Sequence, residues 1–107
     1  LLLDAFHLYK GGNDYVSLMQ LNGRSMKVFH LNDYPADPPR ESIADKDRVF
    51  PGDGICPFDV LLPTLEAIGF EGAFSLELFN RRYQQDNSPL ELAKIGLEKM
   101  LGIFAKT

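Results

Sequence analysis

The sequence is poor in the residues that mark several large classes of protein. Its single cysteine, Cys56, excludes an internal disulfide and suits a reducing, cytoplasmic compartment. No motif makes that thiol a nucleophile, so a small buried apolar role is expected for it. No apolar run approaches the ~18 residues of a membrane-spanning helix. The opening LLL (residues 1–3) is too short, and lacks the basic flank, for a signal peptide. Positive charge is scarce and scattered: Arg81-Arg82 is the only adjacent basic pair, and the net charge is −4 with a pI near 5.0. A nucleic-acid backbone needs a clustered basic face, so nucleic acid is not an expected partner. Repeats and low-complexity segments are absent too.

What is present describes a globular chain. Hydrophobic residues make up 45% and charged residues 24% of 107, enough for at most one small domain, residues 1–107. LLLDAF (1–6) is continuously apolar apart from Asp4 and reads as a strand covered on both faces. Residues 14–21 fit a short helix capped by Asn13 or Asp14, with Tyr15, Leu18, Met19 and Leu21 at helical spacing and Asn22-Gly23 ending it. MKVFHL (26–31) reads as a second buried strand. Phe58, Leu61, Leu62, Leu65 and Ile68 mark a helix over 57–68, with Pro63 expected near its first turn and Gly69 just past its end. AFSLELF (73–79) is a third strand. Ser88, Pro89 and Glu91 then supply an N-cap, a proline at the first helical position and a capping-box partner. Leu90, Ala93, Leu97, Met100, Leu101 and Phe104 are the buried stripe expected of that helix.

The order β-α-β-loop-α-β-α implies parallel strands with right-handed crossovers. Three such strands cannot cover both their faces and both their edges. The chain has no initiator Met and opens in mid-strand, so it is expected to be part of a larger sheet or to form a homo-oligomer. Between the second and third strands runs a polar excursion, residues 29–54, rich in proline, charge and glycine. Long loops without structure of their own are uncommon in compact domains. A cover over a functional site is the expected role, closed by the PGDG turn, where glycine permits a positive φ or close backbone approach. A second, shorter loop over residues 79–87 is expected to carry Arg81 and Arg82 as an exposed pair, with contact to an anionic substrate as the alternative.

Each apolar strand ends in groups unsuited to a core: Asp4 and His7, then His30 and Asp33, then Glu77. Ligands bind at the carboxyl ends of parallel strands in α/β folds. Taken singly, Asp4 reads as readily as a cap or a turn residue, and His30 as a hydrogen-bonded core group. Glu77 lies between Leu76 and Leu78, and a buried carboxylate needs a metal, an arginine or a proton. One Asp, one His and one Glu from three successive strands offer nitrogen and oxygen donors without thiolate, a set suited to Mn²⁺, Mg²⁺, Co²⁺ or Zn²⁺. The plainer alternative is a non-catalytic α/β binding or assembly module in which the three satisfy one another.

The ordered set D-x-F-H (Asp4, His7), H-x-x-D (His30, Asp33), R-x-x-P-G-x-G (Arg48, Pro51, Gly52, Gly54) and S-x-E-L-F (Ser75, Glu77) resembles the C-terminal part of a xylose-isomerase-like TIM barrel. That superfamily groups sugar isomerases and epimerases with AP endonuclease 2 proteins. The resemblance implies a partial (β/α)8 barrel, strands six to eight with three helices, whose remaining N-terminal part would be its structural partner. It implies Asp4, His30 and Glu77 as metal ligands, with a fourth carboxylate from a preceding strand. It implies His7 and Arg48 as contacts to a small carbohydrate substrate, and Asp33 as a group that orients His30 or the loop. Arg48 stands farther from the histidine than the family often places it. The implied reaction is isomerisation or epimerisation by proton transfer through an enediolate, with Glu77 as one of two transferring carboxylates. An inosose-type dehydratase begins with the same step. An endonuclease of the same superfamily needs more histidines and a basic face, and this chain has two histidines and a net charge of −4.

Overall fold

The computed structural model describes residues 1–106. Three short strands, β1 (Leu3–Asp4), β2 (Val28–Leu31) and β3 (Ala73–Leu76), pair in parallel in chain order. Asp4 lies beside His30, and His30 beside Ser75. The Glu77 N–H donates to the Leu31 carbonyl at 3.2 Å, so pairing carries one residue past β3. This register puts Asp4, His30 and Glu77 at one end of the sheet. β2 is central, and its Phe29 and Leu31 have no exposed surface. Truncating a buried phenylalanine of this kind to alanine costs about 3–5 kcal/mol.

The first expected strand is cut short. Residues 5 and 6 are not extended but open a helix, α1 (Ala5–Lys10). Asp4 Oδ1 accepts the His7 N–H at 3.0 Å as the N-cap, and Asn32 Oδ1 accepts the Phe6 N–H at 2.9 Å. Both amides that a longer strand would have offered to a ladder are taken by side chains. The segment expected as an α-helix over 14–21 is a 3₁₀ helix, Tyr15–Gln20, capped by Asp14. Its three-residue turn buries Tyr15 and Leu18 and leaves Met19 and Leu21 exposed.

α2 (Phe58–Ala67) buries Phe58, Leu61, Leu62 and Leu65 as their spacing predicts. Pro63 sits inside this helix, not in its first turn, and the neighbouring Thr64 hydroxyl donates to the Val60 carbonyl at 2.7 Å. Gly69, at φ +84°, ends α2: its N–H reaches the Glu66 carbonyl and the Phe70 N–H the Leu65 carbonyl, the paired bonds of a Schellman motif.

The stretch expected as a second loop contains a short helix, α3 (Arg81–Asp86), capped by Asn80, so the described residues form four α-helices and not three. α4 (Pro89–Ala105) starts with the expected Ser88–Glu91 capping box. Its packed side is not the expected stripe. Gly96 and Ile103 are buried and Met100 packs on the core, whereas Leu90, Leu97 and Leu101 are exposed. Gly96 lets the helix approach Leu76 closely, which turns the neighbouring Leu97 outward.

The long excursion after β2 is packed, not a free flap. Tyr34, Ile43, Arg48 and Phe50 are buried within it. A 3₁₀ turn, Asp45–Asp47, interrupts it, and a two-bond antiparallel bridge joins Asp33 to Val49 at 3.0 and 2.9 Å.

Candidate metal centre

Asp4, His30 and Glu77 converge at the carboxyl end of the sheet, each offering a ligand atom within 4.8 Å of the others. His30 Nδ1 is 2.7 Å from Glu77 Oε2 and 3.7 Å from Asp4 Oδ2. The three differ in surroundings. Asp4 is nearly enclosed, its side chain 9% exposed, and Oδ2 also accepts from Asn32 Nδ2 at 3.0 Å. Glu77 keeps 34% of its side chain exposed and is the most open of the three. Two carboxylates and an imidazole, so close and without thiolate, fit a divalent cation with nitrogen and oxygen ligands. Asp4 is thus both a helix cap, through Oδ1, and a candidate ligand, through Oδ2; the two readings are compatible because they use different oxygens.

Arg48 reaches this cluster from the long excursion. Its side chain is 1% exposed, with Nη1 3.4 Å from Asp4 Oδ2 and 3.7 Å from Glu77 Oε1, and Nη2 2.7 Å from Asp45 Oδ1. The guanidinium also lies against the rings of Phe6 and Phe79, 4.7 and 5.2 Å from their centroids. His7, exposed on α1, brings Nε2 to 3.0 Å from Arg48 Nη2. A guanidinium only donates, so that contact requires an unprotonated Nε2. Arg48 Nε is buried and has no hydrogen-bond partner among the described residues. A buried donor left open beside a cluster of ligands is a place for an oxygen from elsewhere.

Asp33 stands apart from His30. It has no exposed surface and accepts four main-chain N–H groups, from Tyr34, Gly52, Gly54 and Cys56, at 2.7–3.0 Å. Burial lifts its carboxyl above the ordinary range, and the four donors pull it back. All four of these bonds go to the chain that follows β2. Asp33 pins residues 49–56 against β2's exit, one residue beyond Arg48. A Cβ on Gly54 would stand 2.3 Å from the Tyr34 carbonyl oxygen and 2.5 Å from Asp33 Oδ1, so only glycine fits there. Cys56 is buried as expected, and burial pushes its thiol up to about 12.

The profile of the xylose isomerase-like TIM barrel family matches residues 1–102. The chain belongs to that family. It is 39% identical over 83 residues to an inosose isomerase of Bacillus subtilis, covering 78% of this chain and 30% of that protein. An inosose isomerase of Halalkalibacterium halodurans is 35% identical over 85 residues, with 79% and 30% covered. The chain thus spans about a third of the length of these curated relatives. Among solved structures, the IolI protein with a bound zinc atom superposes with a TM-score of 0.90 at 32% identity, over 99% of this chain and 37% of that one. A xylose isomerase domain protein of Alicyclobacillus acidocaldarius gives 0.75 at 27% identity, over 97% and 36%. The three parallel strands are therefore a partial (β/α)8 barrel of the xylose isomerase-like kind.

Three neighbours of the centre carry no signal in the sequence. Asn32 joins Asp4 Oδ2 to the Phe6 amide; Asp45 holds Arg48 Nη2; Asn80 Nδ2 donates to the Arg48 carbonyl at 3.2 Å. Each is an ordinary polar residue of a loop until the fold gives it a partner.

Proposed function

We propose that the protein is a divalent-metal-dependent isomerase or epimerase acting on a small carbohydrate, in a cytoplasmic setting. The observation that carries this is the convergence of Asp4, His30 and Glu77 within 4.8 Å at the strand ends. The similarity to inosose isomerases and to a zinc-bound IolI protein supports the same class. Asp4, His30 and Glu77 would hold the ion together with a carboxylate from another strand of the complete barrel. A metal bound there supplies Lewis-acid polarisation of a substrate carbonyl.

The remaining work falls to side chains. Glu77 is the most open of the three and takes or returns the proton on the carbon beside the carbonyl, the substrate passing through an enediolate. Arg48, fixed by Asp4, Asp45 and two aromatic rings, sets its positive charge and N–H donors beside the centre, where they favour a substrate oxygen. Fixed donors of this kind need no reorganisation as negative charge develops. His7 sits at the rim, within reach of substrate hydroxyls, and its contact with Arg48 orients its ring.

The test is proton exchange. The full-length protein, with metal, is incubated in turn with an inosose and with a sugar phosphate in D₂O and followed by NMR. Deuterium is expected at the carbon next to the carbonyl, and Glu77→Gln is expected to slow its appearance by about 10²–10⁴-fold. Exchange at an unchanged rate in Glu77→Gln would remove Glu77 from the mechanism.

A further inference from the structure

A cavity of about 590 Å³ opens between the excursion after β2 and the turn after β3. Its wall carries Lys46, Arg81 and Arg82. None of the three forms an ion pair among the described residues. Asp37 and Asp47 line the same wall, and Asp47 Oδ2 accepts the Ala44 N–H at 2.9 Å. Lys46, Arg81 and Arg82 against Asp37 and Asp47 leave the wall with a net charge of +1, on a chain of net charge −4, a local reversal of sign. Such a reversal attracts an anion into a walled space more strongly than on an open surface.

Asn80 ties this cavity to the centre. It lines the wall, its Oδ1 accepts the Arg82 N–H at 3.0 Å, and its Nδ2 donates to the Arg48 carbonyl. The Arg48 guanidinium on the other side touches Asp4. The loops concerned follow the last two strands of the partial barrel, the loops that in many (β/α)8 barrels bind phosphate. Two guanidinium forks and an ammonium match the oxygens of a phosphate or carboxylate group.

We propose that this cavity binds the phosphate or carboxylate group of a substrate whose reacting end lies at Asp4, His30 and Glu77. This rests on the isomerase or epimerase reading above and names the class of substrate: a carbohydrate bearing an anionic group at its far end. Arg81 and Arg82 are then specificity-determining and take no part in the proton transfer.

The experiment separates the two readings because it is read without turnover. Inorganic phosphate is titrated calorimetrically into the full-length protein at low ionic strength, with and without EDTA, for the wild type, R81Q/R82Q and K46Q. Wild type is expected to bind phosphate in both conditions, with R81Q/R82Q at least tenfold weaker and K46Q weakened less. Equal affinity in wild type and R81Q/R82Q overturns the inference. So does binding that EDTA abolishes and R81Q/R82Q leaves intact, which puts phosphate on the metal. With a sugar phosphate as substrate, phosphate is expected to raise KM competitively and leave kcat unchanged; a change in kcat at constant KM marks a free-anion effector site and overturns the substrate assignment. Failure of the isomerase reading would appear elsewhere, as absent metal and absent proton exchange.

Discussion

A carboxylate with no exposed surface is tolerated only when its lone pairs are filled, and Asp33 fills them with four main-chain N–H groups. An asparagine there offers one oxygen and sets its NH₂ against N–H donors. Asp33→Asn is therefore expected to lower stability by about 2–4 kcal/mol, read from urea melts of the full-length protein. A loss below about 1 kcal/mol would mean that the loop is held by other contacts. The same melts check Gly54→Ala, for which a similar loss of about 2–4 kcal/mol is expected, since its Cβ would overlap the Tyr34 carbonyl and Asp33. At this scale the candidate metal ligands were legible in the sequence because Asp4, His30 and Glu77 contradict the apolar strands that carry them. Asn32, Asp45, Asn80 and the burial of Arg48 were not. A polar residue in a loop is unremarkable locally, and its role depends on partners distant in the chain, such as the 44 residues that separate Asp4 from Arg48.

Helix ends were more legible than helix faces. The Ser88–Pro89–Glu91 start and the Gly69 stop follow local chemistry, which the sequence states directly. The buried face of α4 depends instead on which turn of the helix meets β3, and the approach through Gly96 decided that. α1 was hidden because a buried helix and a buried strand look alike over a few apolar residues; the Asn32 contact to the Phe6 amide settles it. One prediction belongs to α4. The Glu91 carboxylate accepts the Ser88 N–H, which holds its pKa below the ordinary value. Its contribution to the helix start is therefore present above the ordinary glutamate range and lost as pH falls through the lowered value. NMR titration is expected to show the Ser88 amide losing protection over that acid window, and a Glu91→Ala variant to lack the transition. An unchanged transition in Glu91→Ala would assign it to another group.

For the whole molecule, the parallel order of β1, β2 and β3 followed from strands alternating with helices, and the structure shows that order. What length and periodicity did not reveal was how much apolar surface these residues leave uncovered. Leu90, Leu97 and Leu101 on α4 are exposed, as are Leu1 and Leu2 beside β1, which has a partner on one side only. An open strand edge and an apolar helix stripe both favour association. Expressed by itself, the 107-residue chain is expected to self-associate in gel filtration. A monomeric profile with cooperative unfolding would show that these surfaces are tolerated in water.

The measurement that bears most directly on the account is the metal content of the full-length protein after gel filtration, taken by mass spectrometry on wild type, Asp4→Asn and His30→Ala. One divalent ion per chain is predicted for the wild type, with a loss of tenfold or more in each variant and folding retained by circular dichroism. A wild type that carries no divalent ion when supplied with Zn²⁺ or Mn²⁺, or a His30→Ala variant that holds it undiminished, would contradict the assignment of Asp4, His30 and Glu77 as a metal centre.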